Sequence, residues 1–427
     1  MEATTEQYLH HLAYESFDNK FSRNYSSTFF IIKGFFLALC FSLFIYLAHF
    51  SLHVKILDTI FAFLGFYFLL TCQKKTLLPT GFFIGIFWFY WISFSFRYYD
   101  LSYLIPLVIL GVGIIYGLIF WFIGFLGRTI EIRAILLLLL SFFSPFGFNW
   151  FKPELIFINS YFSTNLYLYG LFLLSLILLI RLKKQWKILG LTLLIALCFI
   201  NTKNTFIKPS LHVAIPIMNL SQDKKWEKRY KNEITKNNFA FINKAINDKQ
   251  DLIILPESAF PTYLNLDAKT LEKLKLLSYK ITILTGALSV KNNKVFNSSY
   301  LLKNGEFEVA NKVVLVPFGE KIPFPKFAVD FINKTFFDGA DDYESATKVH
   351  NFTIDNYTFR NAICFEATVD KLYENSPKYM IAISNNAWFT PSIEPTLQNL
   401  LLKYYARKYN TIIYHSANSG ISTIIYP

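Results

Sequence analysis

NAICFEA, residues 361–367, ends a run in which Tyr357 to Ile363 alternates between apolar and polar side chains, the period-two pattern of a strand entering a core. Cys364 closes that strand and is the only cysteine after residue 198, so no disulfide within this half of the chain can consume it. A thiol at a strand end, with a carboxylate two positions on at Glu366, has the make-up of a nucleophile. The plain alternative is a buried cysteine acting as a small hydrophobe.

Two upstream stretches bear on that choice. DLIILPESAFP, 251–261, is an apolar β-rich run that delivers Glu257 at its end. NKVVLVPFGEKIPF, 311–324, places Lys312 before an expected strand and Glu320 after a Pro-Phe-Gly turn. Glu257, Lys312 and Cys364 are separated by 55 and 52 residues, enough for each to arrive on its own strand of an α/β layer and converge. Taken singly, a glutamate or a lysine is most often a solvated surface residue.

The order and context of these residues resemble the nitrilase, or carbon–nitrogen hydrolase, superfamily. The resemblance is closest to its membrane-bound branch, the apolipoprotein N-acyltransferases. It rests on the VPFGE run after the lysine, the Cys-aromatic-Glu triplet, ISNNAWF at 383–389 and HSANSG at 415–420. By motif it covers roughly 209–427, and by architecture the apolar region before it.

Composition supports a membrane-embedded first half. Hydrophobic residues make up 53% of the 427, aromatics 19% and charged residues only 17%, which excludes an ordinary soluble protein. Apolar runs near 34–50, 56–72, 81–96, 101–126, 134–151, 166–180 and 188–200 read as seven transmembrane helices, the last two borderline for the roughly 20 residues a crossing requires. Counted on alternate sides of these runs, eleven Lys and Arg lie on the N-terminal side against five opposite. That bias favours a cytoplasmic N-terminus and an exported second half. The expected organisation is a polar cytoplasmic segment at 1–28 without a cleavable signal peptide, a seven-helix membrane domain at 29–204, and an extracytoplasmic catalytic domain at 205–427.

The net charge of +13 follows largely from those loops, and its scatter argues against a nucleic-acid partner. Ionisable residues are absent from the deep apolar runs, which argues against a transporter. Aromatic crowding in GIFWFYWISFSFRYYD, 85–100, reads as an interfacial belt or as the wall of an acyl groove, with Arg97 and Asp100 at the end facing the exported half. SPFGFNW, 144–150, reads as an unwound helix end or a point of lipid access.

In the second half, strands are expected at 211–219, 251–256, 281–288, 297–303, 357–363, 378–384 and 411–415. Helices are expected at 221–249, 267–279 and 394–408, and an Asn-Gly hairpin within KNGEF at 303–307. This pattern alone gives α/β layering; the resemblance implies an αββα sandwich with its site at strand ends. The loop from Ile322 to about 347 is long enough to be a lid.

The thiol of Cys364, with an ordinary pKa of about 8.5, needs a base and a cation to react. Glu257 can take and return its proton, while Lys312 and the backbone N–H after Cys364 can hold an oxyanion. The resemblance implies this catalytic triad, with Glu320 orienting Lys312 or handling a proton and Glu366 holding the loop. Phe365 replaces the tyrosine usual in the family and keeps only its stacking surface. Trp226, in a Lys225–Trp226 pair typical of the family, and Trp388 are supporting candidates, each balanced against simple packing. The resemblance implies transfer of an acyl chain from a phospholipid, through a Cys364 thioester, to the amino group of a diacylglyceryl cysteine on an apolipoprotein at the bacterial inner membrane. No cofactor and no metal are called for. The alternative is a membrane-tethered amidase that gives the acyl group to water. Family members commonly continue past this motif region into a last transmembrane helix, whereas this sequence stops at Pro427.

Overall fold

The computed structural model describes residues 27–200, 205–322 and 343–427, together with Pro325, Phe327 and Val329. It divides into two compact units. The first takes the chain up to Ser93, Leu104–Leu140 and Asn159–Ile200; the second takes Phe94–Tyr103, Ser141–Ile158 and everything from Asn201. Two segments from within residues 29–204 thus fold with the candidate site residues.

Each of the seven apolar runs contributes a helix: α1 Ser27–His49, α2 Lys55–Thr71, α3 Lys74–Phe89, α4 Ile105–Leu126, α5 Ile130–Leu139, α6 Leu166–Arg181 and α7 Lys187–Phe199. Among the described residues, four stretches are long and apolar enough to cross a bilayer: Ser27–His49, Lys74–Tyr99, Ser102–Leu126 and Ile130–Gly147. The others are shorter than a full crossing requires. Outward-facing Ile31, Phe36, Leu107, Leu118 and Phe122 present apolar surface suited to lipid. Inside the unit, small residues bring backbones together, as at Gly81. A Cβ there would lie 2.4 Å from the Tyr116 carbonyl oxygen on α4. The buried Arg133 guanidinium donates to the carbonyls of Leu69, Leu70 and Cys72, satisfying the C-terminal end of α2.

The fifth run ends its α-helix at Leu139 and continues as short 3₁₀ turns. Ser-Pro-Phe-Gly is the reason: Pro145 cannot continue the ladder, and Phe146 and Gly147 take positive φ values of 54° and 83°.

The second unit is a two-sheet sandwich. Its first sheet runs β1 (Val213–Ala214), β2 (Leu252–Ile254), β4 (Thr282–Lys291), β5 (Lys294–Lys303), β6 (Glu306–Asn311), with β3 (Phe260–Tyr263) also pairing with β4. The other runs β11 (Thr423–Ile425), β10 (Ile412–Asn418), β9 (Tyr379–Asn385), β8 (Tyr357–Ile363), β7 (Asn351–Ile354), with β8, β9 and β10 parallel. Leu252, Ile254 and Leu284 from the first meet Phe359, Ile363, Ile381 and Ile383 from the second in an apolar interlayer. On the outer face of the first sheet Phe239, Ile242, Leu271 and Leu274 of helices α9 (Lys228–Asn247) and α10 (Ala268–Leu277) close a second core with Ile253 and Ile283. Helix α11 (Glu394–Tyr409) packs on β10 and β11. The layers are therefore αββα.

Three local expectations are corrected. The single helix read over 221–249 is two, α8 (Gln222–Lys225) and α9, broken at Trp226. No strand follows Lys312; residues 313 and 314 instead give their N–H groups to the Glu366 carboxylate, which removes them from any ladder. The β4–β5 hairpin is longer than its alternation suggests and turns tightly on Asn292 and Asn293, both at positive φ. The candidate lid, 322–347, lies largely outside the described residues.

Candidate active site

Strand ends of both sheets deliver the three candidates to one place. Glu257 follows β2 across Leu255–Pro256, Lys312 follows β6, and Cys364 follows β8 at a positive φ of 56° that turns the chain sharply into a 3₁₀ helix, Cys364–Thr368. Gly286 in β4 lets the Glu257 segment lie against the sheet; a Cβ there would sit 2.6 Å from the Glu257 Cα.

Asn297, on β5, organises the carboxylates. Its side-chain Nδ2 donates to Glu257 Oε1 at 2.7 Å and to Glu320 Oε1 at 3.1 Å, while its backbone carbonyl accepts from the Lys312 N–H. The fully buried Lys312 Nζ lies 2.7 Å from Glu320 Oε2. That contact occupies one of the three ammonium donors, so donors remain for a bound group. Glu320 Oε2 also accepts from the Val316 N–H, closing the Pro-Phe-Gly turn on its own carboxylate.

The electrostatics favour a resting, protonated thiol. Burial pushes the Cys364 thiol up, the Glu257 charge adds to that, and Lys312 opposes it. Burial pulls Lys312 down, but Glu320 and Glu257 outweigh it and hold the ammonium charged above its usual range.

The supporting residues separate by what they touch. Glu366 is fully buried and accepts from three backbone N–H groups, Val313, Val314 and Ile363, at 2.8–2.9 Å, tying the Lys312 and Cys364 loops together. Burial pushes its carboxyl up to about 7, against Lys312 and those donors. Phe365 stacks on Phe148 with ring centroids 5.9 Å apart and lies near-parallel to Trp150, both from the SPFGFNW stretch. Trp150 and Asn149 also donate to Thr368 in the Cys364–Thr368 turn. Trp388 stacks on Tyr99 and meets Tyr98 edge-on, and Arg97 donates to the Thr390 carbonyl. The aromatic crowding at 85–100 thus reaches the site at Tyr98 and Tyr99. Trp226 is 44% exposed, so packing of its helix on the sheet does not account for it.

Sequence reasoning passed over several participants. Lys225, noted only as half of a Lys-Trp pair, is buried and donates to the Glu257 carbonyl at 3.0 Å. Burial pulls its ammonium down to about 8, against the charges of Glu257 and Cys364. Asn297 carried no signal beyond a polar residue in an apolar strand. The two asparagines of ISNNAWF act in different directions. Asn385 joins Asn418 of HSANSG to Gln222 at the start of α8, fixing the Lys225 segment. Asn386 reaches Glu394 and Gln398 on α11, two buried residues that the sequence shows only as the polar side of a helix.

Comparison with known proteins shows the family. The sequence profile described as the apolipoprotein N-acyltransferase integral membrane domain matches residues 28–200. An apolipoprotein N-acyltransferase from Wolinella succinogenes is 44% identical over 392 residues, 91% of this chain and 94% of the relative. Those of Helicobacter hepaticus and Campylobacter jejuni are 40% and 36% identical, covering 83% and 98% of this chain and 90% and 95% of theirs. Among solved structures, XC1258 of Xanthomonas campestris, a CN-hydrolase superfamily protein, overlays with a TM-score of 0.38 at 13% identity, over 51% of this chain and 79% of that one. With relatives 36–44% identical over 83–98% of its length, and with an apolar helical half followed by an α/β sandwich, this chain belongs to the apolipoprotein N-acyltransferase family.

Proposed function

We propose that this integral membrane N-acyltransferase takes an acyl chain from a phospholipid and transfers it to the α-amino group of a diacylglyceryl cysteine on an apolipoprotein. The observation that carries the reading is the apolar wall beside the thiol. Phe148 from between α5 and α6, and Tyr98 and Tyr99 from between α3 and α4, fold into the unit that holds Cys364, meet Phe365 and Trp388 and with Trp388 stay partly exposed, while Trp150 is buried against Phe365. Such a wall suits an acyl chain. A small soluble amide has no use for it.

In the first half-reaction Glu257 takes the thiol proton as Sγ attacks the donor ester carbonyl carbon, and the oxyanion develops toward Lys312 and the Phe365 N–H. The ester C–O bond breaks, and Glu257 returns the proton to the lysophospholipid alkoxide, leaving a thioester on Cys364. In the second the acceptor amine attacks the thioester carbonyl and gives a proton to Glu257. The C–S bond breaks and the sulfur regains that proton, leaving an amide. Glu320 orients Lys312, Glu366 holds the two loops in register, and Trp226, exposed beside the Lys225 segment, is available to the incoming peptide. The charge bias of the loops supports a site on the outer face of the cytoplasmic membrane, with the N-terminal segment inside.

Mass spectrometry of lipoprotein N-termini from cells depleted of the protein tests this. Diacylated lipoproteins with free amino termini are expected; unchanged triacylated termini would overturn the reading.

A further inference from the structure

Around Cys364 the charges are unbalanced. Glu257 from the loop after β2, Glu320 from the turn after Lys312, and Glu394 from α11 all act against a negative sulfur, while Lys312 acts for it. Lys225, at the end of α8, also lies within electrostatic reach of the thiol. A sulfur that must carry charge twice in each cycle therefore gains from a hydrogen-bond donor of its own.

The structure holds one. Glu394 and Gln398 lie four residues apart on α11 and so share a face of the helix. Asn386, at the end of β9, bridges them: its Nδ2 donates to both carboxyl oxygens of Glu394, at 2.9 and 2.7 Å, and to Gln398 Oε1 at 3.0 Å. With Oε1 committed to Asn386, the other end of the Gln398 amide is turned to the nucleophile, and Nε2 stands 4.0 Å from Cys364 Sγ. All three side chains are about 1% exposed, so water does not substitute for any of these contacts. Asn386 is seated as well: a Cβ at Gly420 would lie 2.4 Å from its Oδ1, so the residue that closes HSANSG makes room for it.

We propose that Gln398, aimed by Asn386 and Glu394, is a positioning residue for Cys364 whose amide N–H stabilises the sulfur while it is negatively charged. The contact is long in the resting thiol and shortens as charge develops, so it serves deprotonation in the first half-reaction and departure of the thiolate in the second. The inference rests on Cys364 being the nucleophile. It also gives ISNNAWF a function, since Asn386 is the link between the sheet and the amide.

The test is the pH profile of Cys364 alkylation by iodoacetamide in the full-length protein in detergent, read at that residue by peptide mapping because Cys40, Cys72 and Cys198 are also free. Gln398→Leu should move the alkylation midpoint up by about one pH unit, a roughly tenfold smaller thiolate fraction at a given pH. Asn386→Ala should shift it the same way, and the double variant should shift it no further than the larger single. For acyl transfer, kcat should fall with KM for the lipid donor unchanged. Gln398→Met, which conserves volume, replaces Gln398→Leu if the latter does not fold. A midpoint unchanged in folded Gln398 variants would overturn the proposal, and so would a downward shift, which would mean that the carbonyl end faces the sulfur. Because alkylation reads the sulfur directly, failure here is distinct from failure of the acyl-transfer reading, which would appear as an acyl adduct on another residue.

Discussion

Replacing Gly286 by alanine should displace Glu257, the proposed general base, without altering its side chain. The added Cβ would stand 2.6 Å from the Glu257 Cα, 2.6 Å from the Ser258 nitrogen and 2.8 Å from the Pro256 carbonyl oxygen, where ordinary contact begins at 3.4 Å. All three are backbone atoms, so the strain cannot relax through a rotamer, and the segment must retreat by about 0.8 Å, the difference between 3.4 and 2.6. Glu257 is held from two sides, by Asn297 on its carboxylate at 2.7 Å and Lys225 on its carbonyl at 3.0 Å, and such a displacement breaks one hold or the other. Overpacking of this kind costs roughly 1–3 kcal/mol, which a domain of ordinary stability survives. A catalytic group misplaced by about 1 Å loses on the order of 10²-fold in rate. The assay is the initial rate of acyl transfer from a labelled phospholipid to a diacylated lipopeptide in detergent micelles, with thermal unfolding measured alongside. The expected outcome is a fall in kcat of about 100-fold with a drop of a few degrees in Tm. Gly111→Ala in helix α4, whose Cβ would meet nothing within 4 Å, is the control and should leave kcat unchanged with Tm equal or slightly raised. A Gly286→Ala enzyme within threefold of wild type and equally stable would refute the claim that the close approach positions Glu257.

Lys312→Met should lower turnover by about 10²- to 10³-fold, as expected for loss of an oxyanion donor, and cost about 3–5 kcal/mol by stranding the Glu320 carboxylate. Substantial residual activity in a folded variant would remove Lys312 from the mechanism. Glu366 gives a pH test whose sign follows from burial. Its carboxyl is raised in the fold to about 7 from 4.5, so its contribution to stability is complete below about 4.5 and is lost as pH rises through 7. Glu366→Gln cannot titrate, so the stability difference between wild type and variant should shrink by ~3 kcal/mol between pH 4.5 and 7.5; a constant difference contradicts the assignment. A reporter fused after residue 205 should be active outside the cytoplasm only. Activity inside would mean an even number of crossings among the seven helices.

The sandwich was legible because its determinants are local. The apolar run ending at Ile254, the period-two run ending at Ile363, the Asn304–Gly305 turn and the amphipathic stretches of α9 and α10 each show in a short window. What escaped depends on contacts distant in sequence. Glu366 takes the N–H groups of Val313 and Val314, 53 and 52 residues away, and so cancels a strand that their β-branched side chains suggest. Asn297 joins two carboxylates from separate loops, 40 and 23 residues away. The membrane half reads differently again: hydropathy locates seven helices but carries no information on which connecting segments leave the helical unit. Phe94–Tyr103 and Ser141–Ile158 do so through ring stacking and through the hydrogen bonds of Arg97, Asn149 and Trp150, none of which a hydropathy window registers. Lys225 shows the same limit in the site, since a lysine on a polar helix gives no sign that it will be buried against Glu257.

The central claim is a transferable acyl group on Cys364. Purified protein incubated with phospholipid alone should accumulate one acyl adduct, mapped to Cys364 and released by neutral hydroxylamine, which passes to a diacylated lipopeptide when that is added. Rapid release of free fatty acid without an adduct, the behaviour of an amidase, or an adduct on any other residue would contradict it.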